Sequence, residues 1–223
     1  MICNNNYKDP MEVLGRSKGH SYKDLIENLP RHYKFNPALL QQIKNIPEAI
    51  LRNHGSPIAK RINRMVKEVF KEAYRAEQFT RTEVNNKSVL YGVVLLKHKV
   101  IDIVLKYFHK RWPNCVVCLY NEYNQRTGII NEQGIIQEVK EPLKKVIDRL
   151  SKNRSISPYF EDIEFSNEEI FEALYQSQNI TERENLRFFN SMIPKNCFKL
   201  PGMRKGVEKK YNNKNRKLDD FIK

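Results

Sequence analysis

The longest regular pattern in the chain begins at Ser56-Pro57, where Ser supplies an N-cap oxygen and Pro occupies the first helical position. From there Ile58, Ile62, Met65, Val69 and Ala73 recur three or four residues apart. That spacing lays one apolar stripe along a helix to about residue 78 and turns it towards a core. Upstream, residues 37–46 read as a shorter helix, and residues 21–28 as a short helix in an otherwise aperiodic, Asn-rich N-terminal arm over 1–30. Downstream, the β-branched run 89–96 reads as a strand buried on both faces, and Val100, Ile101, Val104, Leu105 and Phe108 return to helical spacing. Residues 115–120 form a second buried-strand pattern. Residues 126–131 and 135–139 read as shorter strands, divided from their neighbours by Asn124-Gln125 and by Glu132-Gln133-Gly134. Glu141-Pro142 opens a helix to about residue 152, and Ser166-Asn167-Glu168-Glu169 is a capping box ahead of Ile170, Phe171 and Leu174. The order predicts one α+β domain over 31–200, a small mixed sheet packed against several helices, followed by a tail over 201–223.

Charge changes the picture from fold to partner. The 223 residues carry 40 Lys or Arg against 26 Asp or Glu, a net charge of +14. Such a bias favours polyanions, nucleic acid first and an anionic membrane surface second. Half of the excess lies in residues 195–223, which hold ten basic and three acidic residues. By contrast, residues 160–172 hold six acids and no base, so that stretch cannot lie on a phosphate backbone. No apolar run reaches the length of a membrane span and the N-terminus lacks a signal-peptide core, so the expected location is inside the cell, without membrane contact. Four scattered cysteines make no disulfide framework, and free thiols are expected.

Three stretches carry a resemblance. The first is Arg64-Met65, Glu72-Ala73-Tyr74-Arg75 and Phe79-Thr80-Arg81; the second is Phe108 to Trp112 with Tyr120-Asn121, Arg126 and Gly128. The third is the run from Ser177 to Asn185 followed by Ile193-Pro194-Lys195. In order and spacing they resemble an uncharacterised DNA-repair or DNA-metabolism domain family over about residues 50–200. Some members of that family are fused to bacterial uracil-DNA glycosylases, and others accompany a radical-SAM protein. The resemblance implies a DNA context and those two kinds of partner, and it brings no established reaction. The chain departs from the family pattern at Tyr74, where His is usual, and at Ala76, where Met is usual. Only Asn196-Cys197-Phe198 remain of an aromatic cluster.

On the face of the long helix opposite the apolar stripe stand Lys60, Arg64, Lys67, Lys71 and Arg75. Two readings fit them: a solvated face with Glu68 and Glu72 as counterions, or a phosphate track of the kind that needs no unique residue. The resemblance adds Arg81, Arg126 and Arg183 as candidate DNA-contacting positions around a shared pocket, the alternative being structural pairs with carboxylates such as Glu83 or Glu182, and Lys195 as a further candidate contact. Asn179 and Asn185 read either as base-edge contacts or as helix caps. Cys115-x-x-Cys118 lies in a strand pattern, where residues three apart point to opposite faces, so no metal site is expected. The acids Glu161, Asp162 and Glu164 fit a helix N-terminus better than a nuclease metal site. No Gly-rich phosphate loop, nucleophile elbow or zinc-protease motif occurs, and no cofactor is expected. The tail places Asn215, Leu218, Phe221 and Ile222 at the spacing of a sliding-clamp-binding box, with Asn in the usual Gln position. A 3₁₀ turn would bring Leu218 and Phe221 to one side, as a plug or as a packing element of the domain itself. These features predict a DNA-binding protein of repair or replication, tethered to a clamp and acting on damaged or modified bases. The alternative is a non-enzymatic adaptor or RNA-binding module.

Overall fold

The computed structural model describes residues 20–158, 160, 193 and 195–200. In chain order these form α1 (Tyr22–Asn28), α2 (Ala38–Lys44), α3 (Glu48–Arg52), α4 (Pro57–Phe79), β1 (Thr82–Val84), β2 (Val89–Val94) and α5 (Ile101–Arg111). Then come β3 (Val116–Asn121), β4 (Arg126–Ile130), β5 (Ile136–Val139) and α6 (Leu143–Lys152). Short 3₁₀ turns cover Leu29–Arg31 and Lys195–Lys199. The fold is α+β, with six α-helices among the described residues and one five-stranded mixed sheet ordered β1-β2-β3-β4-β5. Only β2 and β3 run parallel, joined through α5, and the other neighbours are antiparallel. No helix among the described residues is long and apolar enough to cross a membrane.

The α4 cap forms as its sequence requires: Ser56 Oγ accepts from the Ala59 N–H at 3.2 Å, with Pro57 at the first helical position. The stripe residues Ile62, Met65, Val69 and Ala73 are buried, and α4 divides its length between two cores. Its N-terminal half packs Ile62, Val66 and Phe70 against Leu25, Leu29, Leu39, Ile43 and Leu51. Its C-terminal half packs Val69 and Ala73 into a core with Val104 and Leu105 of α5 and with Leu90, Val94, Val117 and Leu119 on one face of the sheet. The opposite sheet face buries Val89, Val116 and Cys118 beneath Val146 of α6. The short helix read into the N-terminal arm lies within the core: Leu25 and Leu29 are fully buried. Asn63 of α4 fastens that region, accepting from the His20 N–H and donating to the Leu51 and Ala59 carbonyls.

Two differences from the sequence reading have local causes. The strand expected over 89–96 ends at Val94, because the Asn121 side chain replaces the ladder beyond it: Oδ1 accepts from the Leu96 N–H and Nδ2 donates to the Leu96 carbonyl, both at 3.0 Å. The edge strand β1 carries no alternation in the sequence, being three residues long and only partly buried. Gly128 of β4 is required by close approach: a Cβ there would stand 2.7 Å from Ile101 Cγ1 and 3.0 Å from Leu105 Cδ1. The capping-box helix after Ser166, the acidic stretch and the tail lie outside the described residues.

Candidate functional site

The C-terminal half of α4 borders a cleft of about 270 Å³, lined by Glu68, Lys71, Glu72, Arg75, Ala76 and Thr80 from the helix and its exit. Leu95 and His98 from the β2–α5 loop, with Cys197 and Leu200 from the last described segment, complete it. Helical spacing explains the first wall, since residues 68, 71, 72, 75 and 76 share one face of a 3.6-residue helix. The second wall is a loop held by side chains distant in sequence. Glu72 accepts from the Lys97 N–H at 3.1 Å and the His98 N–H at 2.7 Å. Arg31 grips the next residues, donating to both Asp102 carboxylate oxygens at 2.6 and 2.9 Å and to the Lys99 carbonyl at 2.9 Å. The third wall forms where Cys197 and Leu200 pack with Phe79, Leu95 and Ile193. The Phe-x-Arg exit of α4 and the segment around the Pro-Lys turn thus meet at one end of the cleft.

Beside the cleft lies a ring cluster. His98 Nδ1 accepts from the Tyr33 N–H at 3.3 Å, and the His98 ring lies 4.6 Å from His32 and 5.3 Å from Tyr33. His32 Nδ1 accepts from the Lys34 N–H at 3.1 Å, and its Nε2 donates to Glu68 at 3.1 Å. With Nδ1 occupied as an acceptor, each ring carries its proton on Nε2 when neutral. Burial, helped by the neighbouring His32 and Lys97 and opposed by Glu68, holds His98 down at about 4. It is therefore an uncharged hydrogen-bond donor at neutral pH. Burial also pushes the Glu72 carboxyl above its ordinary value, against the opposite pull of its two backbone N–H donors and of Lys97 and His32. The Thr80 hydroxyl is buried and has no hydrogen-bond partner among the described residues.

Of the residues predicted from the sequence, Lys60, Arg64, Lys67 and Lys71 are exposed along α4 and Arg75 is half-buried. Lys71 and Arg75 reach the cleft. Arg81 and Arg126 do not line it. Arg81 precedes edge strand β1 and Arg126 opens β4, three strand spacings away, roughly 14 Å. Lys195 is exposed on the last 3₁₀ turn, and Arg183, Asn179 and Asn185 lie outside the described residues, as do Asn215, Leu218, Phe221 and Ile222. Glu83, offered as a partner for Arg81, hydrogen-bonds Tyr91 across the β1–β2 pair; burial and that carboxylate push the Tyr91 phenol up to about 12. Cys115 and Cys118 are buried in separate clusters on the two sheet faces, and burial pushes the Cys118 thiol up to about 12. Among the described residues no group of His, Cys, Asp and Glu has the arrangement of a metal site.

The architecture is an α+β domain whose central helix carries a basic face into a polar cleft closed by its last described segment. A family model, DUF4130, a domain of unknown function, matches residues 32–200, and the chain belongs to that family. Neither the comparison with curated proteins nor that with solved structures gives a match.

Proposed function

We propose that this protein binds DNA without sequence preference, in repair or replication, through the basic face of α4. The observation that carries this reading is the row Lys60, Arg64, Lys67, Lys71 and Arg75. It extends about 22 Å along the helix at 1.5 Å per residue. Among the described residues Lys60, Lys67, Lys71 and Arg75 have no acidic partner, and Arg64 has only an exposed contact with Glu68 at 3.9 Å. Glu72, next to Lys71 in sequence, spends its oxygens on backbone N–H groups. Five cations in a line on the outside of a helix whose inner face is buried serve a polyanion better than they serve the fold. The net charge of +14 and the family resemblance of the sequence support DNA as that polyanion. Within this reading the box at Asn215, Leu218, Phe221 and Ile222 recruits the protein to a sliding clamp, and a glycosylase or radical-SAM protein is its partner on modified bases.

Titration of labelled DNA at several salt concentrations tests the proposal. If the row contacts phosphates, binding weakens steeply with salt, and the full-length Lys60→Gln/Lys67→Gln/Lys71→Gln variant flattens the log–log slope by about 2 to 3, near 0.7–0.9 per lost contact. A slope unchanged by the triple substitution, or no binding at low salt, refutes the phosphate track.

A further inference from the structure

We propose that the cleft and Tyr33 together seat an unpaired nucleotide, so that the strand this protein takes is single-stranded rather than duplex. The inference rests on the DNA-binding reading above and names the substrate class of that surface.

The cleft offers a phosphate no net positive charge. Its lining sets two cations, Lys71 and Arg75, beside two acids, Glu68 and Glu72, with no ion pair between them among the described residues, whereas the row outside continues with Lys60 and Lys67 and no acid paired to them there. An uncharged group with polar edges suits the interior, and a phosphate suits the lip. A nucleotide has that division, its base uncharged and its phosphate anionic. At about 270 Å³ the cleft falls just below the range of pockets for drug-sized ligands, which fits a single base.

Two groups in the cleft are suited to read a base edge. Thr80 is 6% exposed and its hydroxyl has no partner among the described residues, a cost that a ligand would relieve. His98 has Nδ1 engaged by Tyr33, so its Nε2–H is an uncharged donor. Leu95 and Ala76 supply the apolar surface beside them.

The stacking surface is Tyr33, 48% exposed yet fixed in place. His32 stacks beneath it at 5.0 Å with planes 29° apart, His98 meets it edge-on, and its backbone N–H is tied to His98. The Lys34 ammonium stands 5.3 Å from the ring centroid. An aromatic ring held on the surface next to a row of cations is the arrangement by which unpaired strands are bound: bases stack and the backbone follows the charge. In a duplex the bases are already stacked and paired, and entry would cost several kcal/mol of unstacking per base.

The test measures binding of the full-length protein to labelled oligothymidine, to a duplex of equal length and to oligouridine, at one salt concentration. The single DNA strand is expected to bind at least about tenfold more tightly than the duplex. Tyr33→Ala lowers single-strand affinity about 5- to 150-fold, the loss of one stacked base, while Tyr33→Phe retains it and duplex binding is unmoved. Thr80→Val keeps the side-chain shape, leaves folding stability intact and weakens single-strand binding several-fold. Equal or tighter duplex binding, or a Tyr33→Ala protein that binds the single strand like wild type, overturns the inference while leaving the phosphate track standing. Oligouridine bound more tightly than oligothymidine overturns the assignment to DNA. Absence of salt-sensitive binding to any of the three overturns both readings.

Discussion

His98 makes the fold sensitive to mild acid, and the size of the effect can be worked out. Its folded value of about 4 lies below the ordinary 6.5 of an unfolded histidine. Between those values the unfolded chain binds a proton that the native state refuses, so stability rises with pH across the window. The contribution is complete above pH 6.5 and is lost as pH falls towards 4. Between pH 7 and pH 5 the linkage amounts to about 2 kcal/mol, and to about 1 to 2 kcal/mol once residual solvent screening is allowed for. Glu72 has the opposite sign: a carboxyl with a raised folded value loses stability as pH climbs through it. His32, Lys97 and Glu68 also face the ring, so wild type alone does not isolate His98. His98→Asn keeps an acceptor for the Tyr33 N–H and removes the titration. Urea unfolding of both proteins at pH 7 and pH 5 gives the difference of differences. Wild type should lose about 1 to 2 kcal/mol more than the variant. Equal losses would mean that the buried ring is not held neutral, and the argument for His98 as an uncharged donor in the cleft would go with it.

Two further outcomes follow from packing and from the tail. Gly128→Ala forces a Cβ to within 2.7 Å of Ile101 Cγ1, and overpacking of this kind costs about 1 to 3 kcal/mol; thermal unfolding should shift down by several degrees, and an unchanged midpoint would mean that α5 is free to move off the sheet. In the full-length protein, Phe221→Ala should weaken capture by the host's sliding clamp roughly thirtyfold, about 2 kcal/mol, with the melting temperature unmoved; a lowered melting temperature in a wild type that shows no clamp binding would make the tail a packing element.

The elements legible in the sequence are those whose length lets a period declare itself. Helix α4 has 23 residues, a Ser-Pro start and an unbroken stripe, and β2 and β3 are compact β-branched runs. Helix α3 has five residues and β1 three, too few for either period to emerge. The importance of α1 is hidden for a related reason: it rests on Leu25 and Leu29, a pair four apart in an otherwise polar stretch. Lys71 and Arg75 are legible in the site because charge on a helix face needs no tertiary partner to be noticed. Glu72 is not, since among basic neighbours it reads as a counterion, whereas its true partners are backbone groups 25 and 26 residues away. Tyr33 and His98 carry no local signal either; 65 residues separate them and only the fold brings them together. The stretch Phe79-Thr80-Arg81 also points towards the cleft, through Thr80 rather than through Arg81.

The loop from Leu95 to Val100 is held from several directions at once, and the way it is held bears on what it is for. Asn121 fixes Leu96, Glu72 fixes Lys97 and His98, Arg31 fixes Lys99, and Leu95 packs onto Cys197 and Leu200. A connection between a strand and a helix could be secured by apolar packing alone, at no electrostatic cost. Here a carboxylate is half-buried so that its proton affinity rises, and an imidazole is buried so that it charges only in stronger acid, both of which oppose folding in part of the pH range. Local arrangements that work against stability persist where the surrounding structure over-determines them, and such places concentrate at functional sites. The stretch so fixed presents His98 to the cleft, opposite the α4 face that carries Lys71 and Arg75. Rigidity at that position matters for a ligand with a flexible backbone, because a preformed loop leaves the ordering cost of binding to the strand alone.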